Sequence, residues 1–163
     1  MLALALAAAT AAQEVSLEYR VKAAYLFNFT KFVDWPRDAL PPDAPLTICV
    51  AGTSPFGEVL DDTVQGELVA GRPLTTRVVR EPSGCHVLFV PAGGAAAPLL
   101  HDARTRPILT VGESETFLRD GGIVKFVMQD GKVRFEINQD AASRAQLRIS
   151  SRLLRLARPP ETR

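Results

Sequence analysis

The clearest alternation of apolar and polar positions lies toward the C-terminus, over about residues 122–138. Val124 and Phe126 alternate with other residues in its first half, and the second half repeats the alternation. Between the halves stands Asp130-Gly131, a dipeptide typical of tight hairpin turns. The pattern predicts a C-terminal β-hairpin with one polar face, placed at the edge of a sheet.

A helical period appears at the other end of the chain, from Ser16 to Val33. Six residues at spacings of three and four share one face: Leu17, Val21, Ala24, Tyr25, Asn28 and Phe32. We predict an N-terminal amphipathic helix of about 18 residues. It should end at Trp35, because the residue before a proline avoids the helical conformation. Leu26 and Phe27 lie away from the main face, which makes them candidates for binding a partner.

Between these ends, short apolar runs alternate with helical segments. The predicted strands are residues 46–52, 74–79, 86–90 and 108–111, and the predicted helices are residues 54–66, 95–104 and a short one after Ser114. Such alternation is typical of an α/β fold with a mainly parallel or mixed sheet and helices on its faces. Residues 140–157 have helix-forming sequence, in which Ser150 could cap a second short helix.

Length and charge narrow the possible functions. The chain has 163 residues, which fits one domain over residues 13–163. Its net charge of +1 gives no general attraction to nucleic acid, so no nucleic-acid partner is expected. No later segment reaches the roughly 18 apolar residues of a membrane helix, and the mature chain should have no membrane span.

Residues 1–12, MLALALAAATAA, form an apolar run followed by small residues. This is typical of the end of a secretory signal peptide, with cleavage expected near residues 11–12. The basic region that normally precedes such a run is missing, so we expect a signal truncated at its start. A disordered Ala-rich tail or a buried N-terminal helix is the alternative.

Few residue patterns point to catalysis. The loop GTSPFG at residues 52–57 continues with Glu58 where a phosphate-binding loop has a lysine. His86 and His101 lack further residues at metal-ligand or triad spacing. Asp61 and Asp62 diverge on a helix and cannot face each other as hydrolase carboxylates do. We therefore expect no enzyme, no metal and no cofactor.

Two further features bear on binding and stability. If residues 141–157 form one helix, four basic side chains share a face: Arg144, Arg148, Arg152 and Arg155. That face could bind an acidic partner or a lipid headgroup, or it could simply be solvated. In an exported protein the two cysteines, Cys49 and Cys85, could form a disulfide worth about 3 to 4 kcal/mol, or remain unlinked thiols.

The segment from Val21 to Pro36, VKAAYLFNFTKFVDWP, closely resembles the opening helix signature of the YfiR family of periplasmic repressors. Later blocks resemble the family in the same order. They comprise residues 49–52, 55–57, 85–90, 109–112, 117–118, 121–123, 134–138 and 147–157.

The resemblance implies a small periplasmic protein, usually a homodimer, that binds and represses the periplasmic domain of an inner-membrane diguanylate cyclase. Less cyclic di-GMP and less biofilm would follow. It also implies redox sensitivity, with Cys49 and Cys85 matching one family disulfide, although the second cysteine pair of some members is absent. The alternative is a periplasmic small-molecule-binding module, with a crevice near Gly52, Pro91 and Gly112.

Overall fold

The apolar runs assemble into a seven-stranded sheet in the computed structural model, which describes residues 14–160. The helices are α1 (Leu17–Phe29), α2 (Val59–Val64), α3 (Ala96–Ala103), α4 (Gln139–Arg144) and α5 (Ser151–Leu156). The strands are β1 (Val33–Asp34), β2 (Leu46–Ala51), β3 (Leu68–Val69), β4 (Arg72–Val79), β5 (Val87–Val90), β6 (Leu109–Gly112), β7 (Val124–Gln129), β8 (Lys132–Ile137) and β9 (Arg148–Ile149).

The large sheet is mixed and mostly parallel. Its strand order is β3-β4-β2-β5-β6-β7-β8, and β1 pairs with β9 in a separate two-stranded ribbon. The five strands from β4 to β7 run parallel, while the outermost strands, β3 and β8, pair antiparallel with their neighbours. The predicted α/β class and mainly parallel or mixed sheet are confirmed.

The predicted hairpin is β7–β8, with Val124 opposite Ile137 and Gln129 opposite Lys132. Asp130 and Gly131 have φ of 51° and 73°, as a two-residue turn with both central residues left-handed requires. The hairpin ends the sheet, so its predicted position at the edge is confirmed.

Apolar side chains cover both faces of the sheet. The larger core lies under α1 and is rich in aromatic rings. The ring centroids of Phe29 and Phe135, for example, are 5.1 Å apart. The smaller core contains the two cysteines, Phe117 and residues of α3. Because both faces are covered, the central strands β2, β5 and β6 read as continuous apolar runs, with all their residues buried.

Helix α1 is shorter than predicted and presents a different face to the core. It ends at Phe29 instead of near Trp35, because the chain then turns to pair Val33 with Ile149. Its buried residues are Lys22, Ala23, Leu26 and Phe29, whereas Leu17 on the predicted face is 76% exposed. The prediction that Leu26 lies on an outward face is therefore wrong: Leu26 is fully buried and belongs to the core.

The C-terminal segment is not one helix. Between α4 and α5 lies β9, which pairs with β1. Just before β9, Gln146 has a φ of 60°, a left-handed conformation that interrupts a right-handed α-helix. The Ser150 side chain accepts a hydrogen bond from the backbone N–H of Arg152 and so caps α5. The break near Ser150 is confirmed, and the single helix that would align the four arginines is not formed.

The short helix predicted after Ser114 is also wrong. Residues 114–121 form turns, and the Phe117 ring lies between Gly112 and Gly122, filling the space that a Cβ at either glycine would need. Packing of this ring against two glycines replaces the helical turn. Helix α2 likewise begins at Val59, four residues after Pro55, because residues 55–58 form turns.

Candidate functional site

A cleft opens at the carboxyl edge of the sheet, where β6 ends and β7 continues beyond it. Gly112 pairs with Lys125, and the later residues of β7 have no partner on β6. The cleft has a volume of about 420 Å³ and lies beside the first turns of α1. We call it the charged cleft; its lining includes Glu18, Tyr19, Lys22, Glu113, Glu115, Lys125, Phe126, Glu136 and Arg158.

A buried ion pair forms one wall of the charged cleft. The Lys22 Nζ lies 2.6 Å from the Glu113 Oε1, and these side chains are 5% and 7% exposed. Glu18, one turn earlier on α1, also bonds Lys22. The other oxygen of Glu113 accepts hydrogen bonds from the Tyr19 hydroxyl at 3.2 Å and from the Ala92 backbone N–H at 2.9 Å. These contacts tie α1 to the loops that follow β5 and β6.

The Tyr19 side chain lies beside this ion pair, and its pKa is shifted by the same surroundings. Burial, followed by the nearby Glu113 carboxylate, raises the pKa of Tyr19 to about 12. The Lys22 ammonium also lies 4.8 Å from the Tyr19 ring centroid and 5.7 Å from that of Phe126, both within cation–π range. Tyr19 therefore stays protonated at neutral pH and donates to Glu113.

A second group of charges lies on the hairpin. Glu136 is 3% exposed and faces Lys125 across the β7–β8 pair, with Nζ and Oε1 3.9 Å apart. The Arg158 guanidinium lies 3.6 Å from the Glu136 Oε2, and the Arg158 backbone N–H donates to the Phe135 carbonyl at 2.8 Å. The end of the described chain thus covers the hairpin face that was predicted to be solvated.

The chemistry available here is ion pairing and hydrogen bonding. Each charged side chain of the Lys22 and Glu136 groups faces an opposite charge. The Lys22 group ties α1 to the loops after β5 and β6, and the Glu136 group ties the hairpin to the C-terminal segment. Among residues 14–160 there is no cluster of three or more His, Cys, Asp or Glu able to hold a metal ion. Within the same range no helix has the length and apolar character needed to cross a membrane.

Cys49 and Cys85 form a disulfide with their Cα atoms 5.8 Å apart. It joins the middle of β2 to the residue two positions before β5, inside the smaller core. Both cysteines are buried, at 0% and 5% exposure. The pairing therefore links β2 to the turn that leads into its parallel neighbour β5.

The remaining predicted binding residues lie apart from the charged cleft. Phe27 is partly buried against the core, with the Lys31 ammonium 4.2 Å from its ring centroid. Four arginines are exposed and spread over α4, β9 and α5: Arg144, Arg148, Arg152 and Arg155. The structure does not align the four on one helix. The expected signal peptide, residues 1–12, lies outside the described residues.

Sequence reasoning missed the residues of the charged cleft. Lys22 offered one signal, a lysine inside an apolar run and four residues after Glu18. Glu113 offered none, since it stands 91 residues away and meets Lys22 only in the folded chain. Gly52, Pro91 and Gly112, the residues named for the predicted crevice, do not line the charged cleft, although Ala92 and Glu113, the neighbours of the last two, do.

Comparison with known proteins adds two findings. The model of a family described as YfiR/HmsC-like matches residues 19–158. A solved structure of a conserved domain protein from Vibrio cholerae O1 biovar El Tor strain N16961 is similar, with a TM-score of 0.55 and 11% identity over 85% of this chain. The chain spans 60% of that protein's length, and the likeness shows the fold alone. The curated proteins compared with the chain include no match.

Proposed function

The chain belongs to the YfiR/HmsC-like family, and from this we propose that it is a periplasmic regulator of an inner-membrane diguanylate cyclase. It binds the periplasmic domain of that enzyme and represses it, which lowers cyclic di-GMP and biofilm formation. The protein acts by binding and not by catalysis. The observation that carries the proposal is the family match itself, which runs from α1 to Arg158 and so includes every strand of the sheet.

The exposed arginines are the proposed docking surface for the cyclase. They lie on α4, β9 and α5, and Arg148 lies opposite Asp34 in the β1–β9 ribbon. No carboxylate of residues 14–160 lies within 4.0 Å of Arg144, Arg148, Arg152 or Arg155, so their charges are available to an acidic partner. Phe27, near the end of α1, is a separate apolar candidate for contact with the cyclase. Charged docking surfaces mainly speed association and select partners.

Deletion of the gene tests the function. In a strain that keeps the cyclase, loss of this protein should raise cellular cyclic di-GMP, and a plasmid copy should restore it. The control is a strain that lacks both genes, where the level should not rise. Unchanged cyclic di-GMP in the single deletion would contradict the proposal.

Charge reversal tests the docking surface. The double variant Arg148→Glu and Arg152→Glu should weaken binding to the purified periplasmic domain at least tenfold, about 1.4 kcal/mol. Arg80 and Arg104 are exposed elsewhere, so their double reversal to Glu is the matched control and should bind as the original chain does. Equal weakening by both variants would show that the arginines act through net charge alone.

Homodimerisation is also part of the proposal. It predicts twice the monomer mass in sedimentation equilibrium at micromolar concentration. A monomer at concentrations that saturate the cyclase would remove the dimer from the mechanism while leaving repression intact.

The charged cleft supports a second candidate function, a small-molecule-binding module. The favouring observation is that the Glu136 Oε2, which belongs to the cleft lining and lies 3.6 Å from the Arg158 guanidinium, is buried without a hydrogen-bond partner in the described residues. A polar ligand could satisfy such atoms. Thermal-shift screening against small polar metabolites should then give a saturable rise in melting temperature that Glu136→Gln reduces. Absence of any saturable shift would count against this candidate.

A further inference from the structure

A second cleft adjoins the charged cleft and shares three lining residues with it: Glu115, Lys125 and Glu136. We call it the adjoining cleft; it has a volume of about 820 Å³ and extends along the start of α4 as far as Pro160. Small-molecule sites have volumes of roughly 300–1,000 Å³, and both clefts fall within that range. The two clefts therefore form one continuous site, and Glu136 lies where they meet.

The Glu136 carboxylate is buried at this meeting point and has an oxygen without a hydrogen-bond donor. Its side chain is 4% exposed. Two cations lie near it: the Lys125 Nζ is 3.9 Å from Oε1, and the Arg158 guanidinium is 3.6 Å from Oε2. Both distances exceed the roughly 2.7–3.2 Å of an N–H···O hydrogen bond, and Oε2 accepts no hydrogen bond from residues 14–160. Because buried carboxylate oxygens normally accept hydrogen bonds, Oε2 is the atom to which a ligand would donate.

The charges around Glu136 determine which kind of donor suits Oε2. An ammonium group would add a third positive charge beside Lys125 and Arg158, and a ligand carboxylate has no proton to donate. A hydroxyl group is neutral: it donates its proton to a carboxylate, and its oxygen accepts a hydrogen bond from an ammonium or guanidinium group. A hydroxyl therefore fits among these three side chains better than a charged group does.

The lining of the two clefts carries nearly balanced charge. The charged cleft contributes four carboxylates and three cations, and the adjoining cleft adds one of each, Asp140 and Arg119. Asn138 and Gln139 add amide groups, which both donate and accept hydrogen bonds. Such a lining offers many polar contacts and little net attraction for either sign of charge. It suits a neutral ligand that carries several hydroxyl groups.

We propose that the charged cleft and the adjoining cleft together bind a neutral saccharide. One sugar hydroxyl donates to the Glu136 Oε2 and accepts a hydrogen bond from Lys125 or Arg158, and further hydroxyls bind the amides of the adjoining cleft. The inference rests on the second candidate function, the small-molecule-binding module, and names its ligand class. A free sugar and one ring of a glycan chain present the same chemistry.

Isothermal titration calorimetry of the disulfide-bonded chain tests the proposal with three neutral hexoses, D-glucose, D-galactose and D-mannose. Each is titrated beside its 2-amino analogue and its uronic acid, which keep the ring and add a positive or a negative charge. At least one neutral hexose should bind saturably, and neither of its charged analogues should bind more tightly, because the lining attracts neither sign of charge. A charged analogue that binds more tightly than the neutral sugar would overturn the proposal.

A trisaccharide distinguishes the two sources of the sugar. If glucose binds, maltotriose is titrated under the same conditions. A site for a glycan chain gains affinity from the additional rings, which reach from one cleft into the other. A site for a free sugar gains none.

Glu136→Gln removes the charged acceptor at nearly unchanged shape and should weaken hexose binding at least about tenfold. Glu81→Gln is the matched control, since Glu81 is exposed and lines neither cleft, and it should bind the sugar as the original chain does. Unchanged affinity in folded Glu136→Gln would show that the sugar does not bind at Oε2.

If Glu136→Gln does not fold, nuclear magnetic resonance of the original chain decides. The bound hexose should shift the backbone amide signals of Lys125, Glu136 and Asn138 and leave those of β4 unchanged. Shifts confined to residues outside the two clefts would remove the proposed site.

The saccharide and the candidate function on which it rests fail in different ways. If no hexose binds but another class of polar metabolite gives a saturable thermal shift, the saccharide is wrong and the small-molecule-binding module stands. If no compound of either set binds, both are wrong. Neither result bears on repression of the cyclase, which gene deletion tests separately.

Discussion

The two edges of the sheet hold their buried polar groups in different ways. At the carboxyl edge, ionised Lys22 and Glu113 compensate each other in a nearly closed space. At the amino edge, the neutral His86 ring bridges backbone groups, and the disulfide at Cys85 lies next to it. A buried ion pair fails when either member is removed, whereas a neutral ring fails when it gains a proton. The carboxyl edge should therefore be sensitive to mutation and the amino edge to pH.

The largest effect should come from removing one member of the buried pair. Lys22→Met leaves the Glu113 carboxylate 7% exposed and without its cation, which should cost about 3 to 5 kcal/mol of unfolding free energy. Urea unfolding at neutral pH measures this. The control is Lys31→Met, an exposed lysine just after the same helix, which should cost less than about 1 kcal/mol.

A double variant tests whether this cost comes from the buried charge that is left unpaired. Lys22→Met combined with Glu113→Leu removes both charges and should be more stable than Lys22→Met alone, because no uncompensated charge remains buried. If the double variant loses the sum of the two single effects, the charges act independently and the carboxyl edge is not held by their pairing.

The next largest loss of stability should come from removing the disulfide. Replacing Cys49 and Cys85 by alanine opens a loop of 36 residues and should lower the unfolding free energy by about 3 to 4 kcal/mol. The loss should be the same from about pH 8 to about pH 6, since disulfide cysteines do not titrate. A pH-dependent loss would instead place the disulfide and the histidine in one coupled unit.

The sequence predicts an element well where its signals are local and poorly where the element depends on residues distant in the chain. The β7–β8 hairpin was predictable because alternation and the Asp130-Gly131 turn are local signals. The end of α1 was not, because the β1–β9 pair that replaces its last turn joins residues such as Val33 and Ile149 from opposite ends of the chain.

The same reasoning applies to the candidate site. The burial of Lys22 depends on Glu113, and no periodicity in either neighbourhood reveals that they meet. A period count favoured Leu17 as a core residue and left Lys22 outside, whereas the fold exposes Leu17 and buries Lys22. Contacts between residues distant in the sequence therefore determine which side chains of α1 are buried, and the local pattern does not reveal them.

A smaller effect is expected for the hydroxyl beside the pair. Tyr19→Phe removes one hydrogen bond to Glu113 while keeping the ring that packs on Phe56 at 5.6 Å. The loss should be about 0.5 to 1.5 kcal/mol in urea unfolding, since Lys22 and the Ala92 N–H still serve the carboxylate. A loss as large as that of Lys22→Met would make the hydroxyl, and not the ammonium, the main partner of Glu113.

The smallest effect at neutral pH is that of His86. Because burial lowers its pKa in the folded chain, the unfolded chain binds the proton more readily. The stabilising contribution is complete above pH 6.5 and is lost as the pH falls from 6.5 toward the lower folded value. Urea unfolding at several pH values should show this slope in the original chain and not in His86→Gln. An equal slope in both would assign it to other groups.

The proposed regulatory role is tested most directly by co-purification with the membrane diguanylate cyclase that we propose as the partner. The chain is fused to a secretory signal peptide for export and is pulled down from the periplasmic face with and without reductant. We predict recovery of the cyclase with the disulfide-bonded chain, and weaker recovery once Cys49 and Cys85 are reduced. Absence of the cyclase under both conditions would contradict the proposed repressor.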